Sequence, residues 1–156
     1  MPKRSAGLLL FKREPDGLRV LLVHPGGPFW KKRDHGSWSI AKGEYLEGED
    51  PRTVALREFE EETGVAPPAG DFVSLGEVRQ AGGKIVTAFA LEGDINAQNI
   101  LSNTFEMVWP PKSGRRESFP EIDRAGWFTL TEASRKYSTA SAPFWNGWPP
   151  RSVREA

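Results

Sequence analysis

The chain has no cysteine, no net charge and no long apolar run, and each of these absences narrows its function. Without thiols, disulfide scaffolds, thiolate zinc sites and cysteine nucleophiles are all excluded. Lysine plus arginine number 21 and aspartate plus glutamate also 21, which argues against bulk electrostatic capture of nucleic acid or anionic membrane and leaves only local patches for such contacts. The apolar stretch Leu8-Leu9-Leu10-Phe11 is too short for a signal-peptide core or a membrane span, so a cytoplasmic location is expected. Only two histidines are present, His24 and His35, in no pattern that marks a metal or catalytic role. No repeat, low-complexity tract or linker interrupts residues 1–156, and one domain is expected over that length.

What is present reads as a mixed sheet with helices packed against it. Ala6–Phe11 and Leu18–Val23 are β-compatible runs joined by the turn Glu14-Pro15-Asp16-Gly17, which predicts a hairpin near a sheet edge. A Gly-, Pro- and Lys/Arg-rich loop runs from Pro25 to Ser37. Trp38-Ser39-Ile40 resumes extended structure, and Gly43 is expected to break it. Asp50 at the N-cap, Pro51 at the first helical position and Gly64 just past Thr63 bound a helix over Arg52–Thr63. Strands are expected at Phe72–Val78, Lys84–Leu91, Phe105–Trp109 and Gly126–Leu130, with a polar loop over Pro110–Pro120 and a helix capped by Thr131. The tail aromatics Phe144, Trp145 and Trp148 are expected to pack on the body.

On the helix over Arg52–Thr63, Glu58, Glu61 and Glu62 stand at i, i+3 and i+4 and share one face, while Leu56 and Phe59 point away from it toward a core. Like charges so spaced each cost about 0.2–0.5 kcal/mol, and Arg57 is the one basic neighbour within a turn. A hard divalent cation would convert that repulsion into binding, since Mg²⁺ favours carboxylate oxygens and keeps waters for substrate phosphates. A charged, solvated surface is the alternative reading of the Glu60-Glu61-Glu62 run taken by itself.

The run is not by itself. Gly43, Glu49, Arg57, Glu58, Phe59, Glu61, Glu62, Gly64 and Val65 meet every fixed position of a spaced pattern. That pattern is Gly, five residues, Glu, seven residues, Arg-Glu, a hydrophobic residue, any residue, Glu-Glu, any residue, Gly and a hydrophobic residue. It resembles the Nudix box, and the approach Trp38-Ser39-Ile40-Ala41-Lys42-Gly43 is similar to the one that precedes the box in many members. The resemblance implies an α/β fold of the α/β/α sandwich type with a mixed central sheet. It also implies Mg²⁺-dependent hydrolysis, with Mn²⁺ as a substitute, of a nucleoside diphosphate linked to another moiety. On this likeness Glu58, Glu61, Glu62 and the Gly43 carbonyl hold metal, Arg57 orients the glutamates, and Glu49 and Gly64 support the box. Glu121, six residues before Trp127, occupies the place of a late glutamate that ligates metal or acts as base, with Glu117 as the weaker substitute.

Outside the box, Lys42 is expected at a phosphate, and Phe29 and Trp30 are candidates for stacking on a base. Lys31, Lys32, Arg33, Arg115 and Arg116 would steer polyphosphate, although each taken singly reads as a solvated charge. A nucleotide-type small molecule is the expected partner, with no stable nucleic acid or membrane partner, and oligomerisation is left open. The Lys42-Gly43 approach and Glu121 are similar to those of dinucleoside polyphosphate hydrolases, but the tyrosine common downstream of the box in that group is missing from Gln80–Lys84. The rival readings are a housecleaning nucleoside triphosphate pyrophosphatase, a non-catalytic nucleotide sensor and an enzyme removing pyrophosphate from RNA 5′ ends.

Overall fold

The computed structural model describes residues 3–79 and 82–137, so Phe144, Trp145 and Trp148 lie outside the described residues. The elements run β1 Arg4–Glu14, β2 Gly17–Pro25, β3 Ala41–Tyr45, α1 Pro51–Thr63, β4 Val73–Arg79 and β5 Ile85–Glu92. A short 3₁₀ turn, Ala97–Asn99, then leads into β6 Thr104–Val108, β7 Arg116–Pro120, β8 Ile122–Thr129 and α2 Leu130–Lys136.

Six strands form a mixed sheet in the order β4-β5-β1-β2-β8, with β3 also paired to β1. β1 runs parallel to β5 from Arg4 to Phe11; on its other side it meets β3 with its first half and β2 with its last. The expected hairpin of β1 and β2 is therefore present, but at the middle of the sheet rather than its edge. The reason lies in the run Leu8-Leu9-Leu10-Phe11: Leu8 and Leu10 face the cluster around Val54, Ala55 and Phe59 of α1, while Leu9 and Phe11 face the cluster around Trp38, Ala133 and Tyr137. A strand buried on both faces reads as a continuous apolar run. The result is the expected α/β/α sandwich, with a mixed sheet between the two helices.

Three further expectations are corrected. Gly43 does not end the strand but lies within β3, paired with Ala6. The stretch Pro110–Pro120 is not all loop: its last five residues form β7, which pairs with β6 as a separate two-stranded sheet. The second helix is capped two residues earlier than expected, by Thr129, whose hydroxyl accepts from the Glu132 N–H while the Glu132 carboxylate accepts from the Thr129 N–H. That reciprocal capping box outcompetes Thr131.

Candidate active site

The box helix is set by its two ends. Pro51 occupies the first turn, where its missing N–H is no loss, and Asp50 has extended N-cap backbone although its carboxylate accepts from the Thr53 hydroxyl instead of a backbone N–H. Gly64 closes the helix in the left-handed region at φ 73°, and a Cβ there would stand 2.5 Å from the Leu101 carbonyl oxygen. Phe59 is wholly buried under the sheet, while Glu58, Glu61 and Glu62 stand on another face of the helix, Glu61 exposed and the other two partly buried.

Gly43 of β3 lies directly against this face: any Cβ at that position would overlap the Glu58 carboxyl group. Glu58 is thereby held against strand backbone. Burial, and then the negative charge of Glu61, raise its carboxyl above the ordinary value; Arg57 opposes this, and Glu121 and Glu49 add to it. Glu62 is half-buried beside Lys42, and burial pushes its carboxyl up to about 8 against the pull of the Lys42 ammonium. Burial in turn lowers Lys42, helped by the nearby charge of Lys84 and opposed by Glu62. Arg57 bridges outward, donating to Glu49 at 3.2 Å and lying 3.8 Å from Glu58. Glu49 also accepts from the Leu46 N–H at 2.9 Å, closing the loop before the helix, and these two bonds hold its carboxyl low.

Glu121 enters from the far end of the chain through a ladder of backbone bonds. The Asn103 N–H donates to the Glu61 carbonyl at 3.2 Å, the Glu121 N–H to the Asn103 carbonyl at 2.8 Å, and the Gly26 N–H to the Glu121 carbonyl at 2.8 Å. Ser102 reinforces the joint: its hydroxyl accepts from the Ile122 N–H at 3.0 Å. The unpaired carbonyls at a helix C-terminus need partners, and here those partners bring Glu121 into the electrostatic range of Glu58 and Glu62. Glu117, four residues earlier on β7, does not join that group.

Beyond Glu121 the loop over residues 26–33 and the β6–β7 hairpin enclose a cavity of about 610 Å³. Phe29, Lys31, Lys32 and Arg33 line one wall, and Trp109, Glu117 and Phe119 the other. Trp30 is not on either wall; the Arg33 guanidinium lies over its ring at 5.5 Å. Arg116 pairs with Glu106 at 3.6 Å on the hairpin's own surface, and neither it nor Arg115 lines the cavity.

One residue was missed. His24 is fully buried: its Nδ1 lies 2.8 Å from Asp123 Oδ1 and its Nε2 2.5 Å from the Arg33 carbonyl oxygen, with Trp38 packed edge-on against the ring. It ties the 26–33 loop to β8 and so fixes the cavity wall. Its one sequence signal is a polar residue at the end of the apolar run of β2.

Among the described residues no three acidic or histidine side chains are already drawn onto a common point. The donor set nonetheless fits a hard cation: oxygen ligands only, two of them raised by burial and mutual repulsion, around a glycine whose backbone is open to them. No helix among the described residues is long and apolar enough to cross a membrane.

A family model described as NUDIX domain matches residues 1–145. Among solved structures, the NUDIX domain of Shewanella oneidensis NrtR complexed with ADP ribose is similar at TM-score 0.61 and 19% identity, over 99% of this chain and 88% of that one. A Caenorhabditis elegans Ap4A hydrolase binary complex is similar at TM-score 0.61 and 16% identity, over 97% and 98%. At these identities the likeness is one of fold. A curated protein named octanoyltransferase, from Myxococcus xanthus, is 30% identical over 132 residues, which are 85% of this chain and 32% of that protein; the chain thus spans about a third of that relative's length. With the family model covering nearly the whole chain and the box complete from Gly43 to Val65, this chain belongs to the NUDIX domain family.

Proposed function

We propose that this chain hydrolyses the phosphoanhydride of a nucleoside diphosphate linked to a second moiety, with a dinucleoside polyphosphate as its preferred class, and that it does so with Mg²⁺. One observation carries the reading: α1 and the β7–β8 turn bring Glu58, Glu61, Glu62 and Glu121 into one electrostatic neighbourhood, balanced by little more than Arg57 and Lys42. Glu58, Glu61, Glu62, Glu121 and the Gly43 carbonyl would hold the cation. When bound, it supplies charge neutralisation between phosphates and a lowered pKa for the attacking water.

The chain's own residues do the rest. Gly43 lets the Glu58 carboxylate lie against strand backbone. Arg57 holds Glu58 and Glu49 in fixed relation, and Glu49 pins the loop ahead of the helix. Lys42, beside Glu62, is placed to meet a phosphate oxygen once Glu62 is engaged elsewhere. Glu121 takes the proton from water or completes the metal shell. The basic loop of Lys31, Lys32 and Arg33 offers the length of positive surface that a polyphosphate needs.

The test is a substrate panel with Mg²⁺ and with Mn²⁺, products resolved by chromatography. Diadenosine tetraphosphate should be cleaved to ATP and AMP with higher kcat/KM than ATP, with ADP-ribose as the third arm because the Shewanella domain was solved with it. Faster cleavage of a simple triphosphate would move the reading to a triphosphate pyrophosphatase. No turnover of any of them would leave a nucleotide-sensing domain.

A further inference from the structure

The cavity between the 26–33 loop and the β6–β7 hairpin contains none of the box residues, yet it reaches Pro120, the residue before Glu121. Its volume of about 610 Å³ is that of a small-molecule site. Phe29 and Trp109 meet edge to face at 5.5 Å and 84°, forming a right-angled apolar corner, and Phe29 is 60% exposed within it. A flat ring laid on one of these faces would meet the other with its edge, which is how aromatic groups prefer to pack.

The charges around the corner are unmatched. Among the described residues Lys31, Lys32 and Arg33 form no ion pair, and the Glu117 side chain on the opposite wall has neither ion pair nor hydrogen bond. Asp123, the other carboxylate of the lining, is already engaged by His24. The cavity therefore offers an aromatic corner, a free acceptor on one wall and, on the other, Lys31 and Lys32 free and Arg33 without a carboxylate partner but lying over the Trp30 ring.

We propose that this cavity is a nucleoside subsite selective for bases that carry an exocyclic amino group, with Trp109 and Phe29 stacking the base and Glu117 accepting its amino hydrogens. This rests on the nucleotide-hydrolase reading above and names the part of the substrate that reading leaves open. An ionised carboxylate only accepts hydrogen bonds. Adenine, guanine and cytosine offer it an amino group; uracil and thymine present a single N–H flanked by two carbonyl oxygens that repel it. Lys31, Lys32 and Arg33 then receive the phosphates on the side that leads to Glu121.

The test is calorimetric titration of the full chain with ADP, CDP and UDP in EDTA, where turnover does not interfere, alongside hydrolysis of the same bases as triphosphates in Mg²⁺. The parent should bind ADP and CDP roughly tenfold or more tighter than UDP, the effect of one charge-assisted hydrogen bond. Trp109→Ala and Phe29→Ala should each weaken ADP about tenfold, while Trp109→Phe keeps most of the affinity and separates lost stacking from lost folding. Glu117→Gln should bring ADP and UDP within about threefold of each other, because an amide both donates and accepts. Equal binding of the three bases by the parent, or ADP affinity indifferent to both Trp109 and Phe29, overturns the subsite. If hydrolysis persists in that case, the function stands without it; base-selective binding with no hydrolysis would instead keep the subsite and remove the proposed reaction.

Discussion

The carboxylate face of α1 and the cavity beside it are built in opposite ways. On the helix, two of the three carboxylates are held by burial and a close neighbour: Phe59 lies beneath, Gly43 against Glu58 and Lys42 beside Glu62. In the cavity, the walls are an exposed loop and a two-stranded sheet whose side chains meet few partners. A group that must work by charge needs fixed geometry and low dielectric; a surface that must accept a ligand needs uncovered rings and free charges. On the proposed reading, the first region would carry out the chemistry and the second would select the substrate.

That division can be broken most directly at Glu61 and Glu62. Glu61→Gln or Glu62→Gln should remove most activity while the metal-free protein melts at the same temperature or higher, because like-charge repulsion at Glu61, and chiefly the cost of burying a carboxylate at Glu62, is relieved. Rates and melting curves with and without Mg²⁺ check this; parental turnover by both variants at limiting Mg²⁺ would end the metal-site assignment. Next in size is Glu121→Gln, expected to lower kcat by roughly 10²-fold or more if the residue is the base, whereas the effect of Glu117→Gln should fall on KM. Equal kcat effects from the two would erase the boundary between the regions.

A pH series sharpens the same contrast through Glu62. Its carboxyl is raised to about 8 in the folded chain from an ordinary 4.5, so the folded state holds a proton that the unfolded chain releases earlier. Its contribution to stability is full below the ordinary value and is lost as pH rises through the folded one. Metal-free protein should therefore lose thermal stability between about pH 4.5 and 8, and Glu62→Gln should remove that component of the slope. Melting curves of the two proteins in EDTA decide it. The smallest effect is expected at Trp30, off the cavity walls and with the Arg33 guanidinium over its ring. Trp30→Ala should raise KM for diadenosine tetraphosphate a few-fold, more than it lowers kcat and less than Trp109→Ala does. A larger effect at Trp30 would place the base on the other side of the loop.

The two regions also differed in how far they could be read from residues alone. Helix α1 was legible because its caps, its periodicity and its acidic spacing are all local, and Gly64 and Gly43 stand where the box wants them. Strand β7 was not, because Arg116–Pro120 is a hairpin strand with little buried face and its neighbours Pro110, Pro111 and Gly114 read as turn. The importance of His24 was hidden for another reason: its partners are a carboxylate 99 residues away and a backbone carbonyl, which no spacing announces. The central place of β1 was written in its unbroken apolar run and was outweighed by the turn that follows it.

The bond from the Glu121 N–H to the Asn103 carbonyl joins the residues just outside the two ends of the β6–β7 hairpin. Everything between them is thus a closed excursion from a fixed base. Lengthening such a loop costs entropy only logarithmically, so residues inserted at its tip, around Pro110–Arg115, would leave Glu121 where it stands over α1. On the proposed reading, a graft of a longer or differently sequenced tip is then a route to altered substrate range with Glu121 and the acidic face of α1 undisturbed, whereas a single residue added between Pro120 and Ile122 would shift Glu121 out of its ladder.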